Sequence, residues 1–202
     1  AQDIRFQRAG ELRIATLPSL SQSLLPRVTT RFLSSRPNVS VFVQSLPSRQ
    51  VADLVATRQF DIGLIELPMA RPSISVEPLV PARSVAVIPA NHRLASKKQI
   101  SVKDLAGERM VLLSQHSFLR YQIDDAFSKL GVVPHVVLET PHSNIACAFA
   151  AAGAGITLVS HWAAESFSGP NVVVRPVKEE LTSRSAIIFP YPGARLMLAE
   201  AF

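Results

Sequence analysis

Cysteine is nearly absent from this 202-residue chain: Cys147 stands alone, so no internal disulfide can form and no thiolate metal site can be assembled. A reducing, cytoplasmic setting is therefore favoured over a disulfide-stapled secreted one. Charged residues are sparse, at 18% against 48% hydrophobic, which excludes a disordered or fibrous chain. Long apolar runs are missing as well. The longest uncharged apolar stretch, residues 145–159, carries two glycines and falls short of the roughly 20 residues that span a bilayer. No secretory leader opens the chain, and the missing initiator methionine points to a segment of something longer. Gly-x-Ser-x-Gly, P-loop and Gly-x-Gly-x-x-Gly motifs are all lacking. Gly153-Ala154-Gly155 follows a helical pattern and precedes a strand, the reverse of the dinucleotide-binding order. The five histidines show no ligand spacing, so neither a metal nor a cofactor is expected, and the chain reads as soluble and not as an enzyme.

What is present is an alternation. The formal net charge of +6 is spread from Arg5 to Arg195 with no basic helix and no interleaved aromatics, which reads as solubilising charge rather than a DNA surface. The length admits one large or two small domains. Short β-branched runs alternate with helix-period runs, the pattern of an α/β fold with a mostly parallel sheet. Residues 12–16 read as a strand, Leu20, Leu24, Leu25, Val28 and Phe32 as one helical stripe, 39–43 as a strand, Val51, Leu54 and Val55 as a second stripe, and 61–65 as a buried strand. The same order returns at 110–113, at Leu119 to Leu130, at 136–138, at 145–152 and at 156–159. Ile14 to Val111, Val41 to Val137 and Gly63 to Thr157 are each about 94–97 positions apart, so two β-α-β-α-β halves are expected. Strands at 84–89 and 185–189 are placed to cross between the halves, giving two Rossmann-like lobes with a ligand cleft.

Ligands of open α/β sheets sit beyond the carboxyl ends of the strands, where helix N-termini point. That rule selects Leu17, Ser19, Leu20, Ser21 and Ser48 in the first half, and Ser117, Ser143, Asn144 and His161 in the second. Each serine taken alone is adequately explained as a helix cap; their convergence favours a ligand. Glu66 follows an apolar strand, so its carboxylate needs either an internal arginine or a cation brought by the ligand. Helix N-termini for carboxylates and Glu66 for a cation together suit an amino-acid-like ligand. His116, His142 and Arg120 are candidates for added positive charge. Cys147 and Trp162 read as packing residues.

Six segments, in order, carry a family resemblance: Leu12-Arg-Ile-Ala with Leu24-Leu-Pro26; Phe32 with Pro37-x-Val39; Asp61-Ile-Gly; Pro89-Ala-Asn-His92-Arg-Leu-Ala95; Asp104-Leu105; and Gly153-Ala-Gly155-Ile-Thr-Leu-Val159. The chain resembles the effector-binding domain of LysR-type transcriptional regulators, and in wording it is most similar to the regulators of opine (nopaline or octopine) catabolism. The resemblance implies a two-lobed, periplasmic-binding-protein-like (type 2) fold. Residues 1–10 would be the end of a linker from an absent N-terminal winged helix-turn-helix, residues 11–83 plus 190–202 the first lobe, and 84–189 the second. It also implies a small-molecule effector touching the first loop at Ser19, then Ser48, and the Ser117–Phe118 and Ser143–Asn144 loops. Pairing into homodimers or tetramers and promoter contact only through the missing domain complete the expectation, with no membrane partner. A periplasmic-type solute-binding protein for an amino-acid-like ligand is the rival. Arg93 stands where the family usually has proline, and Ser160 likewise, the latter adding a hydroxyl beside the expected site.

Overall fold

The computed structural model describes residues 9–167 and 169–202. The chain divides into two compact units, residues up to Val80 together with Arg184–Phe202, and Pro81–Ser183. The expected crossings move accordingly: the first unit ends at Val80 rather than 83, and the chain returns to it at Arg184 rather than 190. The reason is strand pairing. β11 (Ser185–Pro190) lies antiparallel to both β3 (Ile62–Glu66) and β4 (Ile74–Pro78), so it is an interior strand of the first sheet. The linker expected at residues 1–10 lies outside the described residues up to residue 8; Ala9 and Gly10 open β1 (Ala9–Thr16) and pair with Asn38 and Val39.

The first sheet has the order β2-β1-β3-β11-β4, with β2 at Asn38–Ser45. β1 runs parallel to β2 and β3, and β11 alone runs against its neighbours, so the sheet is mixed rather than uniformly parallel. β2 is an edge strand, which is why its alternation of valines does not translate into burial: Val39 is buried, yet Phe42 and Val43 are exposed. The single stripe from Leu20 to Phe32 is two helices, α1 (Pro18–Ser21) and α2 (Leu24–Ser34). Serine hydroxyls break it: Ser21 donates to the Pro18 carbonyl at 2.7 Å and Ser23 to the Ser19 carbonyl at 2.7 Å. α3 (Ser48–Ala56) buries Val51, Ala52 and Val55 against Ile65, Ile74, Ala186 and Ile188.

The second unit repeats the plan. β6 (Arg109–Leu113) is parallel to β7 (His135–Thr140), and α4 (Phe118–Lys129) and α5 (Ser143–Ala151) follow them. Ile156, just before β8 (Thr157–Ser160), bridges Met110 in parallel. β5 (Ala82–Pro89) then runs antiparallel to β8, β9 (Val172–Pro176) and β10 (Thr182–Ser183). Thus β7-β6-β8-β5-β9 echoes β2-β1-β3-β11-β4. α6 (His161–Glu165) follows β8, and α7 (Met197–Ala201) closes the chain. Gly131 and Gly153, at φ 63° and 85°, end α4 and α5 in the left-handed conformation that glycine adopts without penalty.

Two glycines, one in each unit, are required for a steric reason. A Cβ on Gly63 would lie 2.6 Å from Ile188 Cγ1, and one on Gly155 would lie 2.4 Å from the Arg109 carbonyl oxygen. Gly63 in β3 and Gly155 just ahead of β8 therefore have no side chain where a neighbouring strand approaches closely.

Candidate functional site

In the first unit, the carboxyl ends of β1 and β3 and the N-terminus of α3 are bound together. The Leu17 N–H donates to the Leu64 carbonyl at 3.0 Å, and the Leu46 N–H donates to the Thr16 carbonyl at 2.9 Å. Ser48 is the first helical residue of α3, with Pro47 at the cap, so its hydroxyl is not spent on its own helix. Ser48 Oγ instead accepts the Glu66 N–H at 2.9 Å, joining α3 to the end of β3. Glu66 is half-buried, rather than enclosed, and its backbone pairs with Ser185. Leu17 caps α1 with no side-chain bond, Leu20 is buried, and Ser19 and Ser21 are half-buried on this single turn. Ser21 is committed to its own backbone, so it does not offer a free hydroxyl to a ligand.

In the second unit the loops after β6 and β7 meet. The Ser114 N–H donates to the Thr140 carbonyl at 2.9 Å, and the His142 N–H donates to Thr140 Oγ1 at 3.3 Å. Ser117 occupies the cap position of α4 yet makes no cap bond, and its buried Oγ has no hydrogen-bond partner among the described residues. Asn144, in the first turn of α5, likewise has a buried Oδ1 without a partner. Of the five buried side-chain polar atoms without a partner among the described residues, these two lie at helix N-terminal turns, where backbone N–H groups point. Ser143 is half-buried beside Asn144, and Phe118 lies 6.5 Å from Tyr121, ring centroid to ring centroid.

Arg120 is not available to a ligand as an unengaged cation. It is 5% exposed and donates from Nη1 to the Leu113 carbonyl at 2.6 Å and to Glu139 at 2.9 Å, and from Nε to both Asp124 oxygens. Burial works against its charge, but the hydrogen bonds of Asp124 and Glu139 outweigh it and hold the proton above its usual range. Its role is to pin the end of β6 to that of β7, and so to set both loops. The i+4 spacing to Asp124 was visible in the sequence; the approach of Glu139 was not. His116 and His161 are exposed and His142 half-buried; His161 opens α6 with its ring 4.3 Å from that of Trp162. Ser160, the departure noted beside the expected site, is buried and caps α6 by accepting the Ala163 N–H at 3.3 Å. Arg93 pairs with Glu108, which His92 also meets at 3.0 Å. Thr16, buried at the end of β1, was not singled out from sequence although it stands at a strand end.

Cys147 is fully buried on α5, and burial pushes its thiol up to about 12, as a packing residue requires. Among the described residues, no group of three or more His, Cys, Asp or Glu is placed to hold a metal ion, and no helix is long and apolar enough to cross a membrane.

Two α/β units, each with helix N-termini gathered at the carboxyl ends of its strands, define a periplasmic-binding-protein-like domain of type 2. Residues 6–202 match the LysR substrate binding domain, and the chain belongs to that family. It is 30% identical over 190 residues to the Regulatory protein NocR of Agrobacterium tumefaciens (strain T37), covering 94% of this chain and 63% of that protein. It is 32% identical over 176 residues to the octopine catabolism/uptake operon regulatory protein OccR of Rhizobium meliloti, covering 87% and 58%. To the transcriptional activator protein LysR of Escherichia coli (strain K12) it is 30% identical over the whole chain and 65% of that protein. The chain thus spans about two thirds or less of each relative's length. The same fold occurs in the BenM effector binding domain with its effector benzoate, at TM-score 0.78 and 21% identity, covering 95% of this chain and 87% of that one. It occurs also in the Synechocystis PCC6803 CcmR regulatory domain in complex with 2-PG, at TM-score 0.79 and 19% identity, covering 96% and 93%.

Proposed function

We propose that this chain senses an opine, such as nopaline or octopine, and that the full-length regulator to which it belongs uses the bound opine to control transcription of catabolic and uptake genes. The observation that carries the reading is the orphaned pair Ser117 Oγ and Asn144 Oδ1 at the N-terminal turns of α4 and α5. An opine has the complementary chemistry: carboxylates for helix N-termini and serine hydroxyls, and a guanidinium or amine whose N–H groups satisfy a carboxamide oxygen and a carboxylate such as Glu66. Likeness to NocR and OccR supports the same ligand class. In this reading the contacts come from Ser19, Ser48 and Glu66 of the first unit and from Ser117, Phe118, Ser143 and Asn144 of the second. His161 belongs to the same proposed set.

The ligand acts by differential affinity for two arrangements of the domain. Homo-oligomerisation, cytoplasmic location and promoter contact through an N-terminal winged helix-turn-helix belong to the same proposal, and no chemical step is asked of the site. Isothermal titration with nopaline, octopine and arginine in parallel tests it. Tight binding of one opine with arginine much weaker is the expected result; no heat from any of the three would discard the opine assignment. A solute-binding protein of this fold would be a monomer, so a dimeric or larger species in size-exclusion chromatography separates the two.

A further inference from the structure

The strands of the first sheet have a second end. Glu66 and Ser185 face each other at the ligand end of β3 and β11, whereas Asp61 and Pro190 lie at the opposite end, about 16 Å away along the strand. There, within the first unit, Arg58, Phe60, Asp61, Pro190, Arg195 and Leu196 line an open surface hollow of about 300 Å³.

Two arginines and one carboxylate are among its lining residues. Arg58 and Arg195 line it, and the Arg13 guanidinium lies 5.0 Å from the centroid of the Phe60 ring. Against these stand Asp61, whose Oδ2 accepts the Arg13 N–H at 2.8 Å, and Glu77, which is held by Arg195. Arg58 is the telling residue. It follows α3 in the left-handed conformation, φ 59°, at the place where α4 and α5 use Gly131 and Gly153. A side chain in that conformation crowds its own backbone, a steric cost that glycine avoids. What the arginine supplies is a guanidinium at the hollow. Of its five N–H donors, the structure commits one bond to the Pro192 carbonyl. Phe60, Pro190 and Leu196 complete an apolar wall.

We propose that this hollow is a second ligand site, which takes a small carboxylate with an apolar body. Arg58 receives the carboxylate through paired N–H···O bonds, and the body packs on Phe60 and Leu196. The site lies at the other end of the strands from Ser48 and Glu66, so it does not depend on what binds there.

Titrating the ¹⁵N-labelled domain with benzoate, with neutral benzamide and with inorganic phosphate tests it. Benzoate is expected to give saturable shifts at the amides of residues 58–61 and 193–196, at least fivefold tighter than benzamide or phosphate. Arg58→Gly, which suits the left-handed backbone, should weaken benzoate tenfold or more. Leu196→Ser, an exposed position at the start of α7 where serine caps well, should weaken it severalfold with the fold intact. Absence of shifts there, an equal response to benzamide, or native-like affinity in Arg58→Gly would overturn the site. An equal response to phosphate would overturn the apolar-carboxylate assignment.

Discussion

Ser48 Oγ accepts the amide N–H of Glu66 at 2.9 Å, so the first turn of one helix holds the last residue of a strand 18 positions away. Because Pro47 rather than Ser48 is the helix cap, this bond belongs to the junction and not to α3. Ser48→Ala leaves a half-buried N–H without its acceptor. A loss of about 1 kcal/mol in urea denaturation is expected, with a severalfold loss in opine affinity by calorimetry. An unchanged denaturation midpoint would show that the junction does not need the hydroxyl.

Glu66 is the carboxylate set at that junction. Glu66→Gln keeps the shape and removes the charge, so a guanidinium-bearing opine should bind about 1.5–3 kcal/mol more weakly. Titration of the variant beside the native domain, with matching circular dichroism, gives the answer. Equal affinity would take Glu66 out of the site.

Arg120 predicts a different signature. Its removal strands the Leu113 carbonyl and two carboxylates, but Asp124 and Glu139 are 44% and 43% exposed, so solvent softens the loss. Arg120→Met should cost about 2 kcal/mol of stability, and Glu139→Gln under about 1 kcal/mol. Denaturant midpoints of both variants test the order; a larger cost for Glu139→Gln would refute the account of the guanidinium as the common anchor.

The two close-packed glycines are unequal. A Cβ on Gly63 meets the side chains of Ile188 and Val51, which can rotate, whereas one on Gly155 meets the Arg109 carbonyl, which belongs to the backbone. Both alanine variants should lose stability, by roughly 1–3 kcal/mol for Gly63→Ala and more for Gly155→Ala. Thermal melts that reverse this ranking would contradict the packing described.

Asp104 supplies a pH dependence. Its carboxyl is held below 3.8 chiefly by hydrogen bonding to Lys97, then to the Ser101 N–H. A depressed carboxylate adds stability above its unfolded pKa and loses it as pH falls through the folded value. The native protein should therefore exceed Asp104→Asn in stability at pH 6, with the gap closing below about pH 4. Urea titrations at several pH values measure it, and a gap that widens on acidification would exclude the mechanism.

Much of the domain was legible in the residues. The stripes Val51 and Val55, or Leu119, Ile123 and Phe127, face the core as their spacing requires, and the paired order of elements about 94–97 positions apart is the repeat seen in the two units. Less legible were features that depend on distant partners. Pairing of β11 with β3 joins residues more than a hundred positions apart, so no local pattern could assign residues 185–189 to the first unit. Val43 obeys the alternation of a half-buried strand yet is exposed, because burial on an edge strand depends on what lies beside it. At the candidate site, strand-end position alone selected Ser48, Ser117 and Asn144, but it offered Arg120 to the ligand as readily.

The sequence by itself determined where strands and helices form, since periodicity, glycine at helix ends and β-branched runs act over a few residues. It also determined the family, through short segments in a set order. Only the tertiary structure decided which polar groups are already satisfied. Arg120 closes on Glu139, and Ser160 on the N-terminus of α6, while Ser117 Oγ and Asn144 Oδ1 keep no partner among the described residues. A hydrogen bond depends on a few tenths of an ångström between groups brought together by folding, and residue order alone does not specify that distance.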